Sequence, residues 1–478
     1  MKTCHRLLMV FVGSVTLIAL LAGFAAPSGS PAHAQDGPRP VIIDTDLAAD
    51  DWLAILYLLQ RPDVSVKAIT LTGAGEVHCD PGVANAMKLV ALATDEAIPV
   101  ACGRETPLAG DHTFPAEWRV GVDALYGIEL PDSPHAPVEQ TAVELLTSIA
   151  ASSPEKVSVL TLGPVTNVAE ALQADPTLAD KLENIVIMGG AVNVAGNLDG
   201  YFPDNTTAEW NIYVDPVAAN IVLASGAPVT LVTLDVTNHA PLTLEFYDRF
   251  DANRATPEAE FVFTVISIYR DWGMLGGGWY FWDPMAAAVL SDDTLVTFET
   301  YPLRVVEEEG AESGRVVVDD TGAETRVAIN VDAARFEEVF ISTLNDGAPV
   351  VEAVPADAEP ATPEPGAPVA SAGEITGVWK MQTFDFHFLF RDDGTYVANQ
   401  SFAGLTGDAP EDLGTYTVEG GVLTLISGPA TRFCKPGETG SYNLYLSDAG
   451  ELVFVVREDQ CSMRAAPPGV PQFFGRVE

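Results

Sequence analysis

The stretch Pro40-Val41-Ile42-Ile43-Asp44-Thr45-Asp46-Leu47-Ala48-Ala49-Asp50-Asp51 decides how this chain is read. An apolar run of strand length ends in acids, and a helix-like amphipathic stretch follows at residues 52–60. Four carboxylates crowded at the carboxyl end of a strand repel one another in a partly buried site unless a cation sits among them. Asp46 ends the strand while Asp50 and Asp51 open the helix, so one turn can aim all three at a common point. Capping by Asp50 or Asp51 at the positive helix end is the plainer reading. It accounts for one acid and leaves the two strand-end acids unexplained. The candidate ligands are all oxygens, with no His or Cys nearby, which selects calcium or magnesium over zinc or copper. Calcium suits an irregular shell of carboxylates, a carbonyl and waters.

Outward from this stretch, strand-like runs fall at residues 40–46, 66–72, 98–102, 157–162, 185–189 and 229–236. Helix-like runs lie between them, as at 83–93, 141–151 and 216–225. Continuous Val/Ile/Leu strands separated by helices predict an α/β fold with a mostly parallel sheet flanked by helices, its ligands at the strands' carboxyl ends. Residues 296–330 read as β-hairpin material with Asp319-Asp320-Thr321-Gly322 as the turn, and 332–344 as a closing helix. Composition then shifts to Pro, Ala and Glu over 354–372, a semi-rigid linker. Strands at 378–383, 386–390, 395–400, 416–419, 422–426, 442–446 and 452–456 predict a small all-β barrel or sandwich. The expected organisation is a signal peptide at 1–34, a catalytic domain at 35–350, a linker at 351–375 and an all-β domain at 376–478.

The chain's 478 residues carry 67 acidic against 24 basic side chains, a formal charge of −43. Such a protein repels phosphate backbones, which excludes a nucleic-acid polymer as partner but not a nucleoside, which has no phosphate. Hydrophobic residues make up 47%, enough for packed cores, which excludes a disordered acidic chain. Lys2 and Arg6 precede an apolar run at 7–26, and Ala32-His33-Ala34 offers a small-x-small cleavage site. Secretion is therefore expected, with an uncleaved anchor as the alternative. Cleavage removes Cys4 and leaves Cys79, Cys102, Cys434 and Cys461; proximity pairs the first two and the last two in an oxidising compartment. None has the spacing of a zinc site.

Asp44-Thr45-Asp46-x-x-x-Asp50-Asp51 resembles the N-terminal signature of the inosine–uridine preferring nucleoside hydrolase family. The similarity continues through Thr161-Leu162-Gly163-Pro164-Val165-Thr166-Asn167, Met188-Gly189-Gly190-Ala191, Gly196-Asn197, Ala208-Glu209-Trp210-Asn211-Ile212-Tyr213-Val214-Asp215-Pro216 and Asp283-Pro284. The motifs fall in family order over residues 39–345. The resemblance implies a calcium-dependent hydrolase of the N-glycosidic bond of ribonucleosides. It implies that Asp46, Asp51, the Leu162 carbonyl and Asp283 bind calcium, with Asp46 also the general base on the attacking water. It further implies that Asp50, Asn197, Glu209 and Asn211 hold the ribose hydroxyls, with Met188 beneath the sugar. The plainer reading of Glu209 and Asn211 is that they are cap and turn residues before the helix at Pro216.

Two positions depart from the pattern. Many relatives place a histidine, as general acid, just before the last calcium aspartate; here Trp282 stands there and cannot protonate a leaving base. This resembles the purine-preferring branch, in which tryptophans sandwich the base, and Trp118 is the second candidate stacker. The plainer reading makes the aromatic run 279–282 core. After the second strand, where many relatives carry Gly-Asn, Glu76 is the nearest polar group and joins the expected substrate-binding set. His78 and His239 are candidates to contact the base or donate a proton; loop histidines are more often structural or solvated. Gly377-Val378-Trp379 resembles a lipocalin opening. The expected function is a secreted, purine-preferring nucleoside hydrolase, either monomeric or a homo-oligomer, without stable membrane insertion once the signal is cleaved. The alternatives are a nucleoside-binding or sensory protein that has lost turnover, and a haloacid-dehalogenase-like phosphatase. The latter also uses DxD after a first strand but needs a downstream lysine and a later acidic pair.

Overall fold

Val41 and Ile43 leave one face of the first strand and Ile42 leaves the other, and all three are buried. A strand apolar on both faces needs cover on both. In the computed structural model, which describes residues 37–198, 200–351, 367–381, 386–399, 405, 412–429, 434–447, 450–461 and 471–477, that strand is β1 (Arg39–Thr45). It lies inside a sheet with β2 (Val64–Leu71), β3 (Val100–Cys102), β4 (Val157–Thr161), β5 (Leu182–Met188), β6 (Val229–Val232), β7 (Val296–Val305), β8 (Val316–Val318) and β9 (Ala323–Val331). The strand order is β3-β2-β1-β4-β5-β6-β9-β7-β8. Neighbours from β3 through β9 are parallel, and β7, which pairs antiparallel with both β9 and β8, is the one reversed strand of this sheet.

The helices are α1 (Ala49–Leu59), α2 (Cys79–Ala93), α3 (Ala116–Asp123), α4 (Ala142–Ser152), α5 (Thr166–Ala174), α6 (Trp210–Val214) and α7 (Pro216–Leu223), followed by α8 (Leu234–Thr237), α9 (Leu244–Asp251), α10 (Pro257–Asp271), α11 (Trp282–Ser291) and α12 (Ala333–Leu344). One core gathers Val41, Ile43, Trp52, Leu56, Phe281 and Phe340. The other gathers Ile42, Val159, Leu172, Ile185 and Val222. From β1 the chain pairs with β2 on one side and with β4 on the other. This reversal of strand order falls at the carboxyl ends of β1 and β4, the usual ligand position in open α/β sheets.

The sequence expectations differ from the structure in three places. The run 229–236 is not one strand: Leu234 N–H donates to the Gly190 carbonyl at 2.9 Å, and the chain turns into α8. The turn at 319–322 does not join a hairpin, because β7 pairs with both β8 and β9 and lies between them. An eighth barrel strand, Pro471–Val477, was not anticipated; its leading proline and internal Gly475 hide the alternation.

That strand closes the C-terminal sheet. β10 (Ala367–Pro368) adds to the edge of an antiparallel barrel formed by β11 (Gly377–Met381), β12 (His387–Phe390), β13 (Thr395–Asn399), β14 (Asp412–Glu419), β15 (Val422–Ser427), β16 (Thr439–Leu446), β17 (Leu452–Asp459) and β18 (Pro471–Val477). Consecutive strands pair, and β18 returns to β11, so the all-β expectation resolves to an eight-stranded barrel. Its interior holds Trp379, Phe390, Tyr396, Tyr442 and Phe454. Trp379 of the Gly-x-Trp motif donates its indole N–H to the Ile375 carbonyl at 2.7 Å. The expected signal peptide and most of the expected linker lie outside the described residues. Among the described residues no helix is long and apolar enough to cross a membrane.

Candidate active site

The turn after β1 is held by its own polar groups. Leu47 sits in the left-handed region with φ of 56° although it is fully buried. A residue other than glycine in that conformation costs about 1 kcal/mol or more and persists only where its surroundings over-determine it. Here Leu47 N–H donates to Thr45 Oγ1 at 2.9 Å and to Asp51 Oδ1 at 3.2 Å, and its carbonyl accepts from the Trp52 indole at 2.7 Å. The Thr45 hydroxyl also donates to Asp51. This locks Asp50 and Asp51 into the first turn of α1. Asp283 occupies the first turn of α11, which packs beside α1. Two positive helix ends thus meet the acids.

Carboxylate oxygens of Asp50, Asp51 and Asp283 lie within 4.8 Å of one another. Asp51 Oδ2 and Asp283 Oδ1 are buried without a hydrogen-bond partner. Burial first, then the Asp51 charge, pushes the Asp50 carboxyl from an ordinary 3.8 up to about 8. Burial likewise lifts Asp51 to about 6, and it holds Asp46 and Asp283 far above their usual range, with Asp51 the next cause for both. Orphaned oxygens among acids that cannot all ionise are what a divalent cation would satisfy, and an all-oxygen donor set fits a hard one. Asp50 belongs to this tight trio and Asp46 does not: Asp46 Oδ2 instead accepts from Glu76 N–H at 3.1 Å. The grouping of Cys434, Glu438 and Cys461 is no metal site, because its cysteines form a disulfide.

Asp46 is wedged between two glycines. A Cβ on Gly75 would fall 2.2 Å from Asp46 Cβ, and one on Gly163 would fall 2.7 Å from it. Glu76 follows in the same loop, its carboxyl raised by burial, then by Asp50 and Asp51, and partly offset by Arg119. Asp44 stands apart. Its Oδ1 accepts from Thr70 at 2.6 Å and from the Asn167 amide at 2.8 Å, and burial raises its pKa to about 7. It braces β1, β2 and α5.

Glu209 caps α6. Its Oε1 accepts from Asn211 N–H at 2.9 Å, and its Oε2 accepts from Gly190 N–H at 2.9 Å and Ile212 N–H at 3.2 Å. The Asn211 amide donates to the Leu162 and Met188 carbonyls at 3.1 and 3.2 Å, which brings three expected site residues together. Asn197 Oδ1 accepts from Trp210 N–H at 3.2 Å. The cap reading of Glu209 therefore describes its visible bonds, and Asn211 bridges the ends of β4 and β5.

The two tryptophans fall in separate aromatic groups. Trp282 opens α11 with its indole nitrogen unpartnered, its ring centroid 5.6 Å from that of Tyr280 and 6.3 Å from that of Trp279. Trp118 packs with Phe114, Tyr201 and Trp210. Tyr126 and Tyr269, whose hydroxyls are raised by burial and feel Glu76 and Asp50, complete the aromatic wall. His78 is exposed and bound to Asp123 at 2.7 Å, and His239 is exposed. Sequence reading missed Thr70, Gly75, Gly163, Tyr126, Tyr201 and Tyr269. The only sequence signal for them was the glycine-rich loop after β2 and the glycine after Leu162.

The sequence from residue 41 to 338 matches the family model described as inosine-uridine preferring nucleoside hydrolase. This chain belongs to that family. It is 37% identical over 304 residues to the pyrimidine-specific ribonucleoside hydrolase RihA of Citrobacter koseri, covering 62% of this chain and 94% of that one. Its structure resembles the plant nucleoside hydrolase PpNRh1, with TM-score 0.58 and 28% identity over 64% of this chain and 99% of that one. It also resembles the purine-preferring ribonucleoside hydrolase of Gardnerella vaginalis, with TM-score 0.56 and 30% identity over 64% of this chain and 98% of that one. The protein is a ribonucleoside hydrolase, which sets aside the phosphatase and the inactive binder. Nucleoside hydrolases of this family are metal-dependent in general.

Gly75→Ala should lower turnover by roughly 100-fold, the scale expected of a misplaced catalytic group, with far-UV circular dichroism unchanged. Stability should report the acids directly. Asp44, Asp50 and Asp51 titrate near 7, 8 and 6 when folded and near 3.8 when unfolded, so the metal-free folded chain retains protons that the unfolded chain has released. Its melting temperature in chelator should therefore fall between about pH 4 and pH 8, and a divalent cation should flatten that fall.

Proposed function

We propose that this chain is an exported, calcium-dependent ribonucleoside hydrolase that prefers purine nucleosides. The observation that carries the metal reading is the pair of buried, unpartnered oxygens on Asp51 and Asp283, whose carboxylates lie within 4.8 Å of each other. Asp46, Asp51, Asp283 and the Leu162 carbonyl would hold the calcium, which supplies positive charge to acidify water and to grip sugar hydroxyls. Asp50, Asn197, Glu209 and Asn211 seat the ribose from above the ends of β1, β5 and α6, with Met188 beneath it. Asp46 takes the proton of the attacking water as the water oxygen bonds to the anomeric carbon. The glycosidic bond breaks with its electron pair going to the base nitrogen, which takes its proton from solvent. The surrounding carboxylates favour the cationic sugar that forms on the way. Glu76 stands beside Asp46, its carboxyl raised by burial and by the charges of Asp50 and Asp51.

Purine preference is supported by Trp282. It stands one residue before Asp283 with its indole half-buried, and the large face of a purine offers the most stacking area to such a ring. Trp118 supplies aromatic surface on the opposite group. The pyrimidine-specific relative is the more similar of the two in sequence, 37% identical against 30% for the purine-preferring one, so the aromatic side chains and not the overall likeness carry this reading. Export is supported by the basic, then apolar N-terminus and by disulfides at Cys79–Cys102 and Cys434–Cys461. The catalytic domain would span residues 35–350; the linker expected at 351–375 gives way by Ala367 to the barrel domain, because β10 pairs with β16 and Val369 and Ile375 are buried in the barrel core.

Reducing-sugar release tests the main reading. Asp46→Ala should lose about 1,000-fold or more in turnover. Trp282→Ala should slow inosine about tenfold, the scale of one stacked base, while uridine changes less. Equal slowing of both nucleosides would remove the purine assignment. Activity surviving exhaustive chelation, or restored by magnesium better than by calcium, would remove the calcium assignment. N-terminal sequencing of the exported protein should begin at Gln35; an intact Met1 would support the anchored form instead.

A further inference from the structure

A disulfide joins Cys79, the first residue of α2, to Cys102, the last residue of β3, across 5.6 Å between Cα atoms. Residues 72–78, which lead into Cys79, form the loop that closes on Asp46. Glu76 N–H donates to Asp46 Oδ2 at 3.1 Å, and Val77 N–H donates to the Asp46 carbonyl at 3.0 Å. Gly75 approaches so closely that a Cβ there would overlap Asp46. The loop has no regular secondary structure, so its position depends on how its ends and middle are held.

Three clamps do this. At the front, Thr72 N–H donates to the Thr45 carbonyl at 2.8 Å. In the middle, the Arg119 guanidinium of α3 donates to the carbonyls of Gly73 and Val77 at 2.9 and 3.3 Å. At the rear, Cys79 N–H donates to Glu105 at 3.0 Å, and its sulfur is bonded to Cys102. Cys102 is itself fixed to the sheet. It pairs with Leu71, and the next residue, Gly103, donates to the Leu71 carbonyl at 2.8 Å and lies against Asn167. Asn167 in turn donates to Asp44. The crosslink therefore ties the rear of the Asp46 loop to the same strand layer that carries the acids. Both cysteines are half-buried, within reach of a small dithiol.

We infer that the Cys79–Cys102 disulfide is a positioning crosslink that holds residues 72–78 against Asp46, so that the hydrolase reaches full turnover only in its oxidised form. The inference rests on the proposed role of Asp46. Reduction passes two electrons and two protons from a dithiol to the sulfur–sulfur bond, leaving two thiols and a cyclic disulfide of the reagent. The hydrolytic chemistry is untouched; what is lost is the fixed approach of Glu76 and Gly75 to Asp46. The second disulfide, Cys434–Cys461, lies in the barrel domain, joining the segment before β16 to the one after β17, and serves as a control.

The test compares the purified full chain, the double variant C79S/C102S and the double variant C434S/C461S, each with calcium and inosine. The expected result for C79S/C102S is a fall in kcat of about tenfold to 100-fold with KM changed less than about threefold, as misplacement of a catalytic group produces. C434S/C461S should keep the parent's kcat. Dithiothreitol should lower kcat of the parent and of C434S/C461S to the level of C79S/C102S, without lowering C79S/C102S further. This arm needs no variant to fold, because it acts on the folded parent, and reoxidation should restore the rate. Parent-like kcat in C79S/C102S, no response of the parent to reductant once free-thiol counting shows both bonds reduced, or equal losses in both double variants would each overturn the inference. Asp46→Asn separates the two readings. If it is as active as the parent, the role of Asp46 fails; if it is inactive while C79S/C102S matches the parent, only the crosslink's role fails.

Discussion

Mutual repulsion among buried carboxylates is the constraint on which the site depends. Asp46, Asp50, Asp51, Glu76 and Asp283 all have raised pKa values for the same two reasons, removal from water and proximity to one another. A fold that gathered these groups without a purpose would lose stability for nothing. The chain instead invests local structure in keeping them together: a left-handed leucine, two helix N-termini and two glycines pressed against Asp46. A divalent cation among them would convert that repulsion into binding, in keeping with the metal dependence general to nucleoside hydrolases of this family.

The parallel sheet makes this economical. The acids Asp46, Asp50, Asp51 and Asp283 reach the site from the carboxyl end of a strand or the amino end of a helix, whereas Asn197 comes from the long connection between β5 and α6. Glu209 shows the principle: one carboxylate caps α6 and also grips the Gly190 N–H beyond β5. Asn211 does the same with its amide, joining the ends of β4 and β5. Residues near such a site serve the scaffold and the ligand together, so a capping bond does not argue against a role toward substrate.

Aromatic rings stand near the acids in separate groups. Trp282 packs beside Tyr280, Tyr126 beside Trp272, and Trp118 beside Tyr201. The barrel at the C-terminus is built by a different logic, alternating inward aromatics along a closed meander, with its own disulfide.

The α/β character, the acids after β1, the family motifs and the disulfide pairs could all be read from the sequence, because each is a local pattern: alternation, a cluster within one turn, or cysteines near each other along the chain. The pairing of β18 with β11, the division of 229–236 between strand and helix, and the place of β7 between β8 and β9 could not, since each is set by partners far away in sequence. The same holds within the site. Sequence named the acids but not that Asp50 would join Asp51 and Asp283 while Asp46 turned to Glu76 N–H, nor that Asp44 would serve Thr70 and Asn167 instead. Which residues carry charge is a property of the chain; which charges face one another is decided only when strands and helices pack, because electrostatic and hydrogen-bond energies fall off over a few ångströms that only the tertiary fold can set.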